Sequence, residues 1–193
     1  MSAIMSVLMS LTKTGDHVVC SQGVFGTTIQ QISLFSRYDI QTSYVPLSEP
    51  DAWEAAISPN ARLLFLETPS NPLTEVADLR ASAAGAKRHG IPLVVDNCFC
   101  TPALQRPLAL GADIVVHSAT KYLDGQGRVL GGAVLGNAKY MNETLQPVLR
   151  AHRQHVAEAG EGQQPAQQRH ALRSWNVLDI DAGAHARTFE QHE

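Results

Sequence analysis

The sequence predicts an α/β fold, a mostly parallel sheet with helices on both faces. Short segments rich in Val, Ile and Leu recur along the chain and alternate with longer segments of helical periodicity. These apolar segments are nearly unbroken, as is typical of parallel strands buried on both faces. Three of them end in polar residues, "ETPSNP", "DNCFCTP" and "HSATKY". Ligands bind at the carboxyl ends of the strands in open α/β sheets, so these polar residues mark the candidate site.

The individual elements follow in order along the first half of the chain. An opening amphipathic helix is predicted from apolar residues at i, i+3, i+4 and i+7, namely Ile4, Val7, Leu8 and Leu11. A strand, a helix and a second strand are then predicted over "HVVCS", "GTTIQQISLFSRY" and "IQTSYVPL". The next helix, "SEPDAWEAAI", has acidic residues in its first turn, which favours Ser48 as its N-cap.

The second half of the chain continues the alternation as far as about residue 145. "ARLLFLETP" is the third predicted strand, and "LTEVADLRASAAGAKRHG" is a long amphipathic helix that ends at Gly90. Three further apolar strands are predicted over "IPLVVDNC", "ADIVVHSAT" and "GGAVLG".

The composition excludes several classes of protein. With 44% apolar and 17% charged residues among 193, the chain has the composition of a globular protein. A net charge of −3 gives no basic surface for nucleic acid or membranes, and no apolar run is long enough to span a bilayer. The start of the chain lacks the features of a signal peptide. Three cysteines are too few for a disulfide framework, so we expect a cytoplasmic protein.

The last 44 residues differ from the rest. We expect two regions, an α/β domain over residues 1–149 and a tail rich in Gln and His over residues 150–193. Five of the eight histidines lie in this tail, and His152 and His155 have a spacing that one helix face allows. Solvated surface histidines are the more common explanation, so no metal site is predicted.

Asp96 and Lys121 each follow a buried strand, one α/β step apart. Each has a plain structural interpretation, since Asp96 can cap a turn and Lys121 can be an ordinary loop lysine. Together they have the chemistry that pyridoxal phosphate needs, a lysine for the Schiff base and a carboxylate for the ring nitrogen. The hydroxyls of Ser118 and Thr120, on either side of Ala119, suit a phosphate group.

Other residues near the strand ends leave alternatives open. Phe25 follows the first strand and could stack on a cofactor ring or belong to the core. Asn71 could donate a hydrogen bond into the crevice or serve only the turn before Pro72. Cys98 and Cys100 are interpreted as small core residues, because no acid–base partner is visible in the sequence.

Six motifs, in this order and at this spacing, resemble the Cys/Met-metabolism (transsulfuration) family of pyridoxal-phosphate enzymes. The motifs are "SAIMSVL", "GDHVV", "GVFGTT", "ETPSNPL", "VVDNCFCTP" and "HSATKYLDGQGRVLGGAVLG". The resemblance covers about residues 1–145. It implies the large domain of the aspartate-aminotransferase fold (fold type I), with pyridoxal 5′-phosphate as the cofactor.

The resemblance also implies roles for individual residues. Lys121 would bind the cofactor covalently and move protons, while Asp96 would pair with the pyridinium nitrogen. Phe25 stands where the family usually has a tyrosine, so it keeps the stacking face and loses the hydroxyl. Three further residues, Ser118, Thr120 and Met1, would hold the phosphate, and Asn71 would reach the phenolic oxygen or the substrate.

The implied activity is γ-replacement on O-succinylhomoserine by sulfide, giving homocysteine for methionine biosynthesis. The alternatives are synthesis of cystathionine, γ-elimination, or a non-catalytic remnant that binds the cofactor or a paralogue. The family also implies a small amino-acid substrate and a homotetramer. Relatives have an N-terminal arm and a C-terminal domain that are not recognisable here. The chain is therefore expected to be truncated at both ends, to bind cofactor weakly and to turn over slowly.

Overall fold

A computed structural model describes residues 1–123, 125–128, 130–153 and 177–179. The strands alternate with helices along the chain, as predicted. The strands are β1 (His17–Ser21), β2 (Gln41–Val45), β3 (Ala61–Glu67), β4 (Leu93–Asp96), β5 (Ile114–Ser118), β6 (Gly132–Gly136) and β7 (Val177–Asp179). The α-helices are α1 (Ser2–Leu11), α2 (Gly26–Ser33), α3 (Pro50–Ala56), α4 (Leu79–Arg88), α5 (Thr101–Leu104) and α6 (Gln146–Arg153).

All seven strands form one sheet in the order β2-β1-β3-β4-β5-β6-β7. The first five strands pair in parallel, and β6 and β7 are antiparallel additions at one edge. The prediction of a mostly parallel α/β sheet is therefore confirmed. Apart from the end of α6 and β7, the predicted tail lies outside the described residues. The prediction that the His152 and His155 side chains lie on the surface also falls outside what the structure describes.

Each face of the sheet has its own apolar core, because alternate residues of a strand point to opposite faces. Leu63 and Phe65 of β3 belong to the core formed with α1, α2 and α6. Leu64 and Leu66 belong to the core formed with α3 and α4 on the other face. The helices thus cover both faces, which explains why the strands read as unbroken apolar runs.

Two helix boundaries differ from the prediction. The residue at the N-cap of α3 is Glu49, not Ser48, and Pro50 occupies the first turn, where its fixed φ and missing N–H suit a helix start. The helix predicted from Leu73 begins only at Leu79, because the Asp78 side chain accepts a hydrogen bond from the Ala81 amide and caps it there.

The parallel strands bring three polar side chains to one edge of the sheet. Glu67, Asp96 and Ser118 are the last residues of β3, β4 and β5. Glu67 is in register with Asp96, and Asp96 is in register with Val116 of β5. The carboxylates of β3 and β4 therefore stand side by side on the face that also carries Phe65.

Within the described part of the chain, no helix has the length and apolar character to span a membrane.

Candidate active site

Asp96 is a buried carboxylate with no cation as its immediate partner. Its Oδ1 accepts a hydrogen bond of 3.1 Å from the backbone amide of Cys98. Among the described residues, no cationic side chain forms an ion pair with it. Burial raises the pKa of the Asp96 carboxyl, while the Cys98 hydrogen bonds and the charges of Lys121 and the Met1 amino group oppose that change. A positively charged ligand group next to Asp96 would relieve the cost of burying it.

The amine of Lys121 is turned toward the end of β4. Lys121 interrupts the helical turn over Ala119–Leu123 with φ −93° and ψ −122°. Its Nζ donates to Cys98 Sγ at 3.4 Å. The same nitrogen lies 4.2 Å from the ring centre of Phe99 and 5.7 Å from that of Phe25. Aromatic faces attract a cation at these distances, so the rings of Phe25 and Phe99 help to hold the amine at the end of β4.

Glu67 is a second buried carboxylate, which the sequence interpretation missed. It is 1% exposed, and its Oε2 accepts from the backbone amide of Phe25 at 2.7 Å. Burial, together with the charge of Asp96, raises the pKa of the Glu67 carboxyl to about 7. The signal was present in "ETPSNP", where a carboxylate ends an apolar strand as Asp96 does.

Cys98 connects the charged groups. Besides accepting from Lys121, its thiol donates to Glu67 Oε1 at 3.8 Å, and its amide donates to Asp96. Burial, then the charges of Asp96 and Glu67, raises the pKa of the thiol to about 12. The thiol is therefore protonated at neutral pH and serves as a hydrogen-bond bridge. The interpretation of Cys98 as a plain core residue was incomplete, because its partners lie 23 and 31 positions away in sequence.

The three cysteines are expected to differ in reactivity, because a thiolate is the reacting species and must be reachable. Burial raises the pKa of all three thiols, and Cys20 and Cys98 are also inaccessible, whereas Cys100 is only half-buried. We expect iodoacetamide at pH 8 to label Cys100 about tenfold faster than the other two. Peptide mass spectrometry over time measures this. Equal labelling of Cys98 would contradict its position between Lys121 and Glu67, and labelling in denaturant provides the control.

The remaining predicted residues surround this cluster less directly. The hydroxyl of Thr120 is bound to the backbone of Gly131, donating to its carbonyl at 3.4 Å and accepting from its amide at 3.2 Å. Ser118 is half-buried at the end of β5. Met1 is the N-cap of α1 and has no side-chain cap bond, and Asn71 donates through its backbone amide to Gly23 at 3.0 Å. The structure thus brings Asp96, Lys121 and Phe25 together, while the Thr120 hydroxyl is already occupied.

The chemistry of the cluster fits pyridoxal phosphate. A buried carboxylate without an ion-pair partner suits a protonated pyridine nitrogen, and a primary amine nearby suits the aldehyde. An aromatic ring beside the amine suits stacking on a flat heterocycle. In the described part of the chain, no group of three or more His, Cys, Asp or Glu side chains is arranged so that it could hold a metal ion.

Comparison with known proteins agrees with this chemistry. The model of the family "Cys/Met metabolism PLP-dependent enzyme" matches residues 1–187, beyond the 145 residues that carry the quoted motifs. The chain is 56% identical over 146 residues to O-succinylhomoserine sulfhydrylase from Pseudomonas aeruginosa, covering 75% of this chain and 36% of that protein. It is 48% identical over 145 residues to cystathionine beta-lyase MetC from Staphylococcus haemolyticus, covering 75% and 37%.

Solved structures show the same similarity in three dimensions. The crystal structure of metB from Corynebacterium glutamicum matches with a TM-score of 0.72 and 37% identity, over 75% of this chain and 38% of that one. Cystathionine gamma-lyase from Lactobacillus plantarum, complexed with L-serine, matches with a TM-score of 0.75 and 36% identity, over 78% and 40%. The matched region spans only 36% to 40% of the length of these four relatives. It belongs to the Cys/Met metabolism family of pyridoxal-phosphate-dependent enzymes.

Proposed function

We propose that this chain forms the cofactor-binding part of an enzyme that converts O-succinylhomoserine and sulfide into homocysteine and succinate. The observation that carries the proposal is the Lys121 amine, which donates to the Cys98 thiol beside the buried carboxylates of Glu67 and Asp96. Support for this substrate comes from the P. aeruginosa relative, which is named for O-succinylhomoserine and is 56% identical. The family membership supports γ-replacement only in general terms, because relatives named as lyases and synthases match over the same share of this chain.

We propose the following roles for the residues. Lys121 holds the cofactor covalently through Nζ, Asp96 accepts from its ring nitrogen, and Phe25 stacks on its ring. Ser118 and the first turn of α1, which begins after Met1, offer donors for the phosphate, and a helix N-terminus favours an anion. Thr120 joins them by turning its O–H from the Gly131 carbonyl toward the phosphate while it still accepts from the Gly131 amide, and Asn71 reaches the phenolic oxygen. When bound, the cofactor supplies an electron sink for negative charge at the substrate carbons.

The chain's own residues then control proton movement. Once its Nζ is free of the cofactor, Lys121 takes a proton from the substrate and returns one later. A positioned acid–base group of this kind contributes about 10² to 10⁴ in rate. The protonated Cys98 thiol, 3.4 Å from Nζ, keeps the amine oriented by hydrogen bonding without competing for its proton at neutral pH. Asp96 preserves the positive charge on which the electron sink depends.

We also propose that the protein works in the cytoplasm as a homo-oligomer. The three cysteines are free, as expected in a reducing compartment. Large apolar side chains near the candidate site are strongly exposed, namely those of Leu104, Tyr122 and Leu130. We take these exposed side chains as the surface that a second copy of the chain covers.

A substrate comparison tests the proposed reaction. The purified chain is loaded with pyridoxal phosphate and given O-succinylhomoserine with either sulfide or cysteine, and the products are identified by mass spectrometry. We expect homocysteine and succinate with sulfide, and little cystathionine with cysteine. Cystathionine as the main product would replace the proposal with a synthase. Cofactor binding without any product would reduce the chain to a binding remnant, and a full-length relative provides the positive control.

A further inference from the structure

Glu67 holds the loop that carries Phe25. Its carboxylate ends β3 and is 1% exposed, and Oε2 accepts from the Phe25 backbone amide at 2.7 Å. Phe25 is also the N-cap of α2, and no side chain caps that helix start. The hydrogen bond from Phe25 to Glu67 therefore fixes the backbone at the point where the ring leaves it.

The loop that carries Phe25, residues 22–25, is also held at Gly23. The amide of Asn71 donates to the Gly23 carbonyl at 3.0 Å, and a Cβ on Gly23 would lie 2.8 Å from the Ser70 Cβ. Gly23 is thus pressed against the turn after β3, which only a residue without a side chain allows. Glu67 holds the end of the loop that carries the Phe25 ring, so it fixes the position of the backbone between Gly23 and the start of α2.

We propose that Glu67 is a positioning residue for the cofactor: its carboxylate ties the Phe25 amide to the sheet edge beside Asp96 and so keeps the Phe25 ring next to the Lys121 amine. The inference rests on the proposed function in taking Phe25 as the residue that stacks on the cofactor. We call the hydrogen bond from the Phe25 amide to Glu67 the anchor, and its existence rests on the observed distance of 2.7 Å alone. A charged acceptor makes this bond roughly twice as strong as a neutral one, so the tie weakens when Glu67 gains a proton.

The groups around Glu67 set the pH at which that happens. Asp96 from β4 disfavours its negative charge, whereas the Phe25 amide, the charge of Lys121 after β5 and the Cys98 thiol favour it. Cys20 of β1 also faces Glu67, and its own pKa is raised by burial and by the Glu67 charge. Burial and Asp96 prevail, and the pKa of Glu67 is raised to about 7. The anchor is therefore placed to change strength near neutral pH.

The first experiment follows the Phe25 amide by NMR between pH 5 and 9. In the wild-type chain we expect its proton to titrate with a midpoint near 7 and to become about tenfold better protected from exchange above it. Glu67→Gln, which keeps a neutral acceptor, should remove the titration. The Lys13 amide donates to Asp16 Oδ2 at 2.8 Å, and Arg62 and Lys13 keep the pKa of Asp16 low against its burial, so this amide is the internal control. A Phe25 titration that persists in Glu67→Gln would overturn the anchor.

The second experiment measures whether the anchor acts through the ring. Pyridoxine 5′-phosphate lacks the aldehyde and binds without a covalent bond, so its dissociation constant reports positioning alone. We expect Glu67→Ala to weaken binding about fivefold, and to have no further effect in a Phe25→Ala background. If the alanine variant does not fold, Glu67→Gln serves the cycle with a smaller expected weakening, because its amide oxygen still accepts from the Phe25 amide as a neutral and weaker acceptor. Equal effects in both backgrounds would overturn positioning through Phe25. No binding by the wild-type chain would overturn the cofactor site, while the amide titration still decides the anchor.

Discussion

Replacing Lys121 by alanine is expected to abolish covalent capture of pyridoxal phosphate. The Lys121 Nζ is the amine that the structure places against the Cys98 thiol, where its charge acts on the carboxylates of Glu67 and Asp96. Only a primary amine can form the Schiff base, so the loss is complete rather than graded. The measurement combines the cofactor absorbance band with borohydride reduction and peptide mass spectrometry, which finds the modified lysine.

Two matched variants separate chemistry from charge. Lys121→Arg keeps a positive charge near Asp96 and Phe99 but has no primary amine, so it should also fail to capture the cofactor. Lys139→Ala removes an exposed lysine before the last helical segments and should leave capture unchanged. Reduced cofactor found on another lysine in the wild-type chain would contradict the assignment. Non-covalent binding that survives in Lys121→Ala would show that Asp96 and Phe25 hold the ring without it.

Asp96 and Lys121 could be paired from the sequence because Asp96 ends an apolar parallel strand and Lys121 follows the next one by three residues. Carboxyl ends of parallel strands meet at one edge, so strand ends alone bring such residues together. Glu67 satisfies the same rule as the last residue of β3, but the sequence interpretation gave it no role. Its partner, the Phe25 amide, is 42 positions away and is a backbone group, which no side-chain motif reveals.

Cys98 and Thr120 show a different limit. Whether a hydroxyl or thiol is free depends on neighbours that only the folded chain supplies. The sequence proposes Thr120 as a phosphate donor, and only the fold shows that its hydroxyl also bonds to the backbone of Gly131. Cys98 looks inert in sequence and lies between Lys121 and Glu67 in space. Residue type predicted the chemistry available to the site, and register and loop packing determined which atoms contact each other.

The predicted starts of two helices were wrong for a local reason. Periodicity extends the helix of α4 back to Leu73, but Asp78 offers a side-chain cap at a point where the chain can start the helix. A cap of this kind contributes about 0.5 to 2 kcal/mol, more than the weak propensity of a few additional residues. Pro50 decides the start of α3 in the same way, through its own backbone rather than through Ser48.

Phe65→Ala is expected to lower the free energy of unfolding by about 3 to 5 kcal/mol. Phe65 lies in β3, inside the sheet between β1 and β4, and is completely buried in the core formed with α1, α2 and α6. Truncation removes its apolar contacts and leaves a cavity that paired neighbouring strands cannot close. Urea unfolding followed by circular dichroism measures the loss. At about 2 to 4 °C for each kcal/mol in a domain of this size, the unfolding midpoint should fall by roughly 6 to 20 °C.

The position of Phe65 connects this core to the candidate site. It precedes Glu67 by two residues on the same face of β3, so the cavity opens beneath the carboxylate that holds Phe25. Val76→Ala, at a side chain that is 71% exposed, should change stability by less than about 0.5 kcal/mol and is the control. A loss below about 1 kcal/mol in Phe65→Ala would contradict the packing of β3 against this core. If the rigidity of β3 sets the position of Glu67, Phe65→Ala should also reduce exchange protection of the Phe25 amide under conditions where the chain remains folded.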